Sequence, residues 1–265
     1  MQEYNKVDQQ LHQLSQIIAK VNRTFVQKEE DDSHTNLYYD HVNGRIFGRW
    51  IEVERGSVVL SLDLRSFKFV WYDRLFKILK SYAIVGRTSM EIELEIESDL
   101  PDFRLSKDGF KEELHFKIND YSFINDSFEL IEKQDLEVWR YWRNKANKAC
   151  QQVLGALQQS SEIRIWPHHF DTGIYAIIPQ NIGISFGLAM EDDMVDSPYF
   201  YMSGYPEKSS LDFSKVSDLS LGRWQTVGEW RGAVLPLKGI NSLSCKETDN
   251  AIDAFIKEDL KWFLK

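Results

Sequence analysis

The chain has little cysteine and no long apolar run. Cys150 and Cys245 are the only two cysteines among 265 residues, and they match no CxxC or other metal-ligand spacing. Such sparse use is typical of a reducing compartment. No stretch approaches the roughly 20 apolar residues that a membrane span needs, and the polar first residues lack the apolar core of a signal peptide. We therefore expect a cytoplasmic protein with no membrane partner.

Basic charge and known cofactor motifs are also scarce. The chain has 32 basic and 41 acidic residues, a formal net charge of −9, which opposes binding to nucleic acid. The GxGxxG, GxxxxGK[ST] and GxSxG patterns are absent. The sequence therefore does not favour nucleotide-dependent or α/β-hydrolase chemistry. It indicates neither a cofactor nor an oligomeric state.

Helical periodicity is present in three segments. Apolar residues recur at spacings of three and four over residues 4 to 24 and again over 134 to 158. Near the end of the chain, Thr248 or Asp249 can cap a helix that buries Ile252, Phe255, Ile256 and Phe263. This last apolar face predicts packing against a sheet.

Strand patterns fill most of the rest. Three antiparallel strands are predicted between residues 36 and 72, with a tight hairpin turn at Asn43-Gly44, and further strands over 162–206 and in EWRGAVLP. A short helix is expected over residues 73–82, a strand with an acidic outer face in MEIELEIE (90–97), and weaker strands over 110–118 and 127–132. Residues 27–35 are charged and predict an exposed connection.

This mixture predicts an α+β fold, with antiparallel sheets and helices packed on them. We expect one unit over residues 1–265. Both halves, 1–133 and 134–265, run from a long helix through a hairpin and strands to a helix, so a pseudo-repeat is an open alternative.

The densest group of reactive side chains is the segment WPHHFD, with His168, His169 and Asp171. Imidazoles and a carboxylate can bind metal or transfer protons. If the backbone is extended, His169 and Asp171 share a face. The alternative is structural, with Asp171 accepting backbone hydrogen bonds in a turn.

A second candidate is the aromatic strand YFYMSGYP, in which Tyr199 and Tyr201 fall on one face. Tyrosine offers apolar contact with a polar tip, and Trp230 adds a residue type that is enriched at binding sites. These three side chains are candidates for lining a pocket near His168 and Asp171, although an ordinary sheet surface gives the same alternation.

Several segments occur in the same order as similar segments in a bacterial family catalogued as a domain of unknown function. They are the helix LHQLSQIIAK (11–20), the helix with Trp139 and Trp142, IWPHHFD, YFYMSGYP and EWRGAVLP. The chain resembles this family over nearly its whole length. The resemblance implies a single whole-chain unit and, within the HHFD segment, favours Phe170-Asp171 over the histidines, but it implies no mechanism.

The leading functional hypothesis is a module that binds a small molecule in an aromatic-lined pocket. One alternative is a metal-dependent or acid–base enzyme that uses His168, His169 and Asp171. A protein-interaction or structural role is the other.

Overall fold

A computed structural model describes residues 1–54, 56–207 and 211–264 as an α+β fold. Its α-helices are α1 (Gln2–Phe25), α2 (Ser89–Asp99), α3 (Lys133–Leu157) and α4 (Cys245–Phe263). Short 3-10 turns occupy Ser33–Thr35, Leu100–Phe103, Phe213–Lys215 and Leu237–Gly239. Helices α1, α3 and α4 confirm the three helices predicted from periodicity. None of the described helices is long and apolar enough to cross a membrane.

The chain forms two compact units, each with its own antiparallel sheet. The N-terminal unit contains Lys6–Arg140 and Arg164–Phe170, and the C-terminal unit contains Met1–Asn5, Tyr141–Ile163 and Asp171–Lys265. The HHFD segment is therefore divided between the units after Phe170. A duplication into halves 1–133 and 134–265 stays a prediction.

The sheet of the N-terminal unit consists of β1 (Tyr38–Asp40), β2 (Arg45–Phe47), β3 (Ile51–Val53), β4 (Gly56–Asp63), β5 (Lys68–Asp73) and β6 (Ile78–Ala83). The order is β1-β2-β4-β5-β6, and β3 pairs with β4. This unit also holds β7 (Arg164–Trp166), where Ile165 exchanges backbone hydrogen bonds with Leu37.

Helix α1 packs closely on this sheet, and Gly48 makes that approach possible. A Cβ atom at Gly48 would lie 2.6 Å from the Asn22 side-chain oxygen and 2.8 Å from Ile18 Cγ2. The same Asn22 oxygen accepts a hydrogen bond from the Arg49 backbone at 2.8 Å. The connection between β2 and β3 is thus fixed against the helix.

The C-terminal unit contains β8 (Asp171–Ile178), β9 (Ile182–Ala189), β10 (Tyr199–Pro206), β11 (Arg223–Gln225) and β12 (Gly232–Pro236). These strands lie in the order β11-β12-β10-β9-β8. One face carries fully buried Phe186, Phe200 and Met202. Helix α4 packs on that side, because a Cβ atom at Gly204 would meet the ring of Phe263 at 2.7 Å. The predicted packing of the terminal helix on a sheet is confirmed.

The segment MEIELEIE was predicted as a strand, and this prediction is wrong, because it lies in α2. Thr88 and Glu91 form a capping box that starts a helix. Ile92 and Ile96, four residues apart, are buried, whereas Leu94 is exposed. Apolar and acidic residues alternate in this segment as they would in a strand. The two buried isoleucines are nevertheless four residues apart, a spacing that places them on one face of a helix.

The predicted helix over 73–82 is also wrong. The carboxylate of Asp73 accepts hydrogen bonds from the backbones of Leu75 and Lys77, which closes a turn instead of capping a helix. The chain then returns as β6, paired with β5. Leu75 in the turn is exposed, whereas Tyr82 in β6 is buried.

No strand occurs among residues 99–133, all of which the structure describes, so the strands predicted there are wrong. Instead of a neighbouring strand, the guanidinium of Arg23 holds this backbone, donating to the carbonyls of Gly109, Phe110, Glu112 and Glu113. Irregular chain is stable there because a side chain satisfies its carbonyl groups.

Three smaller corrections concern turns and caps. The Asn43-Gly44 hairpin exists, but Asp40 pairs with Arg45, which leaves a loop over 41–44 instead of a two-residue turn. Five strands, not three, lie between Tyr38 and Asp73. Ser244 caps α4 in place of Thr248 or Asp249. Within the connection 27–35, residues 27–31 are exposed as predicted, but His34 and Thr35 are buried.

Candidate functional site

The first part of the HHFD segment is a turn, not an extended strand. The backbone amides of His169 and Phe170 both donate to the carbonyl of Trp166, at 3.3 and 2.7 Å, and Phe170 has a φ of 54°. The alternation that placed His169 and Asp171 on one face applies to extended backbone and therefore does not hold here.

His12 anchors this turn within the N-terminal unit. Its Nε2 lies 2.8 Å from the Pro167 carbonyl oxygen and its Nδ1 lies 2.6 Å from the Tyr121 hydroxyl. Its ring stacks on Phe170 at 5.2 Å. Gln16 also donates to the Pro167 carbonyl. His12 thus has a structural role that fixes the segment before Asp171.

His168 and His169 lie side by side, with ring centroids 4.4 Å apart, and His168 also contacts Phe116. Burial, and then the nearby His169 and His115, lower the pKa of His168 to about 4, so it is neutral at pH 7. Among the described residues, no group of three or more His, Cys, Asp or Glu side chains is placed to hold a metal ion.

Asp171 begins β8 in the C-terminal unit and is buried, with 7% exposure. It accepts a hydrogen bond from the Tyr201 hydroxyl. Burial, and then the Asp171 charge, raise the pKa of Tyr201 well above its usual value. Because burial of a carboxyl group is costly without a donor, this bond stabilises one carboxyl oxygen of Asp171 and the Tyr201 hydroxyl.

The predicted pocket-lining residues lie together around this pair. The Tyr201 ring is 6.4 Å from Tyr199 and 6.4 Å from Trp230, in edge-to-face arrangements. Tyr199 donates to Asp192 at 2.6 Å. The two tyrosines pack with Val195 and Val234 in a buried hydrophobic cluster, with Trp230 against it. Packing of this kind favours a structural role for the group.

A cavity of about 540 Å³ lies elsewhere, in the N-terminal unit. Its walls come from the residue after α1, from β1, from the end of β2 and the β2–β3 connection, from β4 and from the β5–β6 turn. The lining residues are Val26, Tyr38, Phe47, Gly48, Arg49, Trp50, Val59 and Phe76. Pockets for small molecules typically have such volumes and such aromatic walls with few polar groups.

Aromatic contacts shape the cavity. The ring of Phe76 lies 5.9 Å from Phe47, 5.9 Å from Trp50 and 6.1 Å from Tyr72. Trp50 and Phe76 remain 40% and 52% exposed. Phe76 lies in the turn between β5 and β6 and has a φ of 57°.

Arg49 supplies the charge in this lining. Its Nε donates to the Ser33 carbonyl at 3.1 Å, and its guanidinium carbon lies 5.1 Å from the centroid of the Tyr38 ring. A hydrogen bond and a cation–π contact therefore orient a half-buried guanidinium beside an apolar cavity.

The sequence reasoning missed this cavity, because its aromatic residues come from strand ends and turns that periodicity does not group. The available signal was Phe47-Gly48-Arg49-Trp50, an arginine between aromatic residues next to a glycine.

Comparison of the chain with protein-family models, curated proteins and solved structures gave no match. The resemblance to a bacterial family of unknown function therefore stays a prediction.

Proposed function

We propose that the chain is a small-molecule-binding protein whose N-terminal unit holds a largely apolar ligand in the cavity beside Arg49. The observation that carries this proposal is a cavity of about 540 Å³ with aromatic walls and a single type of charged group. This differs in place from the pocket expected around Asp171, Tyr199, Tyr201 and Trp230, which pack together in the C-terminal unit.

The exposed rim supports the proposal. Large aromatic side chains usually bury most of their surface, yet Trp50 and Phe76 leave much of theirs in contact with water. A ligand seated between them would cover apolar area and so gain roughly 25 cal/mol for each Å² removed from water.

The acid–base alternative has less support. The ring of His168 packs against His169 and Phe116, and among the described residues no group of three or more His, Cys, Asp or Glu side chains could hold a metal ion. Asp171 already accepts the Tyr201 hydroxyl. We therefore place the function in the cavity.

The test is binding of N-phenyl-1-naphthylamine, a neutral aromatic dye that fluoresces in apolar sites. Wild-type protein should bind it, and Trp50→Ala should weaken binding about 10-fold, since losing one aromatic wall removes at least about 1.4 kcal/mol. Leu75→Ala is the matched control, because Leu75 is 89% exposed in the same turn as Phe76 but does not line the cavity. Equal effects of the two variants would refute the proposal.

A further inference from the structure

We propose that the ligand of this cavity is an uncharged aromatic compound, held by ring-to-ring contacts with Phe47, Trp50 and Phe76. This inference rests on the proposed function and adds the chemical class of the ligand. Three properties of the cavity carry it: the contacts of the charged side chain in its lining, the composition of its walls and the arrangement of its rings.

The charge in the lining is already engaged by the protein itself. The guanidinium of Arg49 donates through Nε to the Ser33 carbonyl and lies over the Tyr38 ring, and Arg49 makes a further interaction within the chain. An anionic ligand would therefore have to compete with contacts that the fold supplies. A cationic ligand would be repelled by the guanidinium. Either charge would also lose its hydration beside apolar walls, which is costly without a partner. The cavity therefore favours an uncharged ligand.

Aromatic side chains make up half of the walls. Tyr38, Phe47, Trp50 and Phe76 are four of the eight lining residues, whereas aromatic residues are 13% of the whole chain. A hydroxyl-rich ligand such as a sugar would give up hydrogen bonds to water and find few polar groups in their place. A lining of this composition offers mainly ring faces and ring edges, so it gains most from a ligand that is itself aromatic.

The rings come from separate parts of the chain and meet at an angle. Phe76, in the β5–β6 turn, lies edge to face with Phe47 at the end of β2 and with Trp50 in the β2–β3 connection, at interplanar angles of 66° and 74°. Trp50 and Phe76 remain partly exposed, so their rings keep surface for a further partner. A planar ligand can stack on one ring and meet the edge of another, which are the arrangements that aromatic pairs prefer. A saturated ring system would bury similar area without these contacts.

The experiment compares four probes of similar size by calorimetric titration of the wild-type protein at pH 7. They are uncharged 2-naphthamide, anionic 2-naphthoate, cationic (2-naphthyl)methylammonium, and decahydro-2-naphthamide, whose rings are saturated. The aromatic amide should bind at least about 10-fold more tightly than either charged probe, since burying an unpaired charge is costly. It should bind at least about 3-fold more tightly than the saturated amide, because aromatic pairs are worth more than their buried area alone.

Trp50→Leu tests the aromatic part of the proposal at one wall. Leucine keeps an apolar side chain at this partly exposed position but removes the ring. The variant should lose most of the preference for 2-naphthamide over its saturated analogue, while its affinity for the saturated analogue changes little. Leu75→Ala is again the control and should leave all four affinities unchanged, because Leu75 does not line the cavity.

The outcomes separate the class of the ligand from the proposed function. If either charged probe binds as tightly as 2-naphthamide, the uncharged class is wrong. If the saturated amide binds as tightly, the aromatic class is wrong. In both cases the cavity still binds ligands, provided that Trp50→Ala weakens binding of N-phenyl-1-naphthylamine. If Trp50→Ala affects neither that dye nor any of the four probes, the proposed function itself fails. The comparison of probes uses the wild-type protein, so it stands even if a variant is destabilised.

Discussion

Asp259 carries a carboxyl group that is fully buried, and replacing it should stabilise the protein. It lies on the buried side of α4 and has no exposed surface. Neither of its oxygens has a hydrogen-bond partner in the part of the chain that the structure describes. Burial, and then the charge of Glu258, raise its pKa from 3.8 to about 9. Asp259→Asn keeps the shape and removes the ionisable group.

The expected gain follows from linkage between protonation and folding. At pH 7 the unfolded chain has an ionised Asp259, whereas the folded chain holds it protonated. Taking up that proton costs about 1.4 kcal/mol for each pH unit above 3.8, which is about 4 kcal/mol at pH 7. Below pH 3.8 Asp259 is protonated in both states, so folding requires no proton uptake. Between pH 3.8 and about 9 the folded protein loses stability steadily as the pH rises. Asparagine avoids this loss.

The assay is urea unfolding of both proteins at pH 5 and at pH 8. The advantage of Asp259→Asn should grow by about 4 kcal/mol between those values, since each pH unit contributes about 1.4 kcal/mol. Asp253→Asn is the control, because it removes the same charge from a half-buried position on the same helix. The reasoning is refuted if the wild-type and Asp259→Asn stabilities run parallel across this range, or if the variant is less stable at pH 8.

Two further predictions concern the Asp171–Tyr201 pair. A Cβ atom at Gly187 would lie 2.5 Å from the Thr172 carbonyl oxygen and 3.0 Å from the Tyr201 hydroxyl. Gly187→Ala should therefore lower the free energy of unfolding by about 1 to 3 kcal/mol, and an unchanged urea midpoint would contradict this. Asp171→Asn should also cost about 1 to 3 kcal/mol, because it removes the charge that strengthens the hydrogen bond from Tyr201. It should be non-additive with Tyr201→Phe, which removes the donor of the same bond; a purely additive double variant would count against that bond.

Most of the helical structure could be predicted because, in a long helix, the apolar residues recur at helical spacing many times. Helices α1 and α3 span 24 and 25 residues, so one misplaced residue does not hide the pattern. Helix α2 has 11 residues and only two buried ones, Ile92 and Ile96. A pattern that short fits period two as well as period 3.6, and the deciding signal was the Thr88–Glu91 capping box beside it.

The grouping of Asp171, Tyr199, Tyr201 and Trp230 was partly predictable. Alternation placed the two tyrosines on one face of a strand, and the structure confirms that they are neighbours. Their contact with Asp171 depends on strand register, since Tyr201 pairs with Gly187 and Gly187 with Gly173. Register across three strands is set by tertiary packing, and no local pattern contains it.

The cavity shows why site prediction fails differently from fold prediction. Periodicity identifies side chains that are buried by regular elements, whereas Phe47, Arg49, Trp50 and Phe76 lie at strand ends and turns, where exposed side chains carry much of a protein's binding. A run such as Phe-Gly-Arg-Trp does not show which side chains are buried, but it does show which types of contact, aromatic and cationic, the segment can make. Glycine permits close backbone approach to α1, and the arginine and aromatic residues on either side then face a common space. The types of residue at strand ends, and not their periodicity, are therefore the pattern that points to the cavity here.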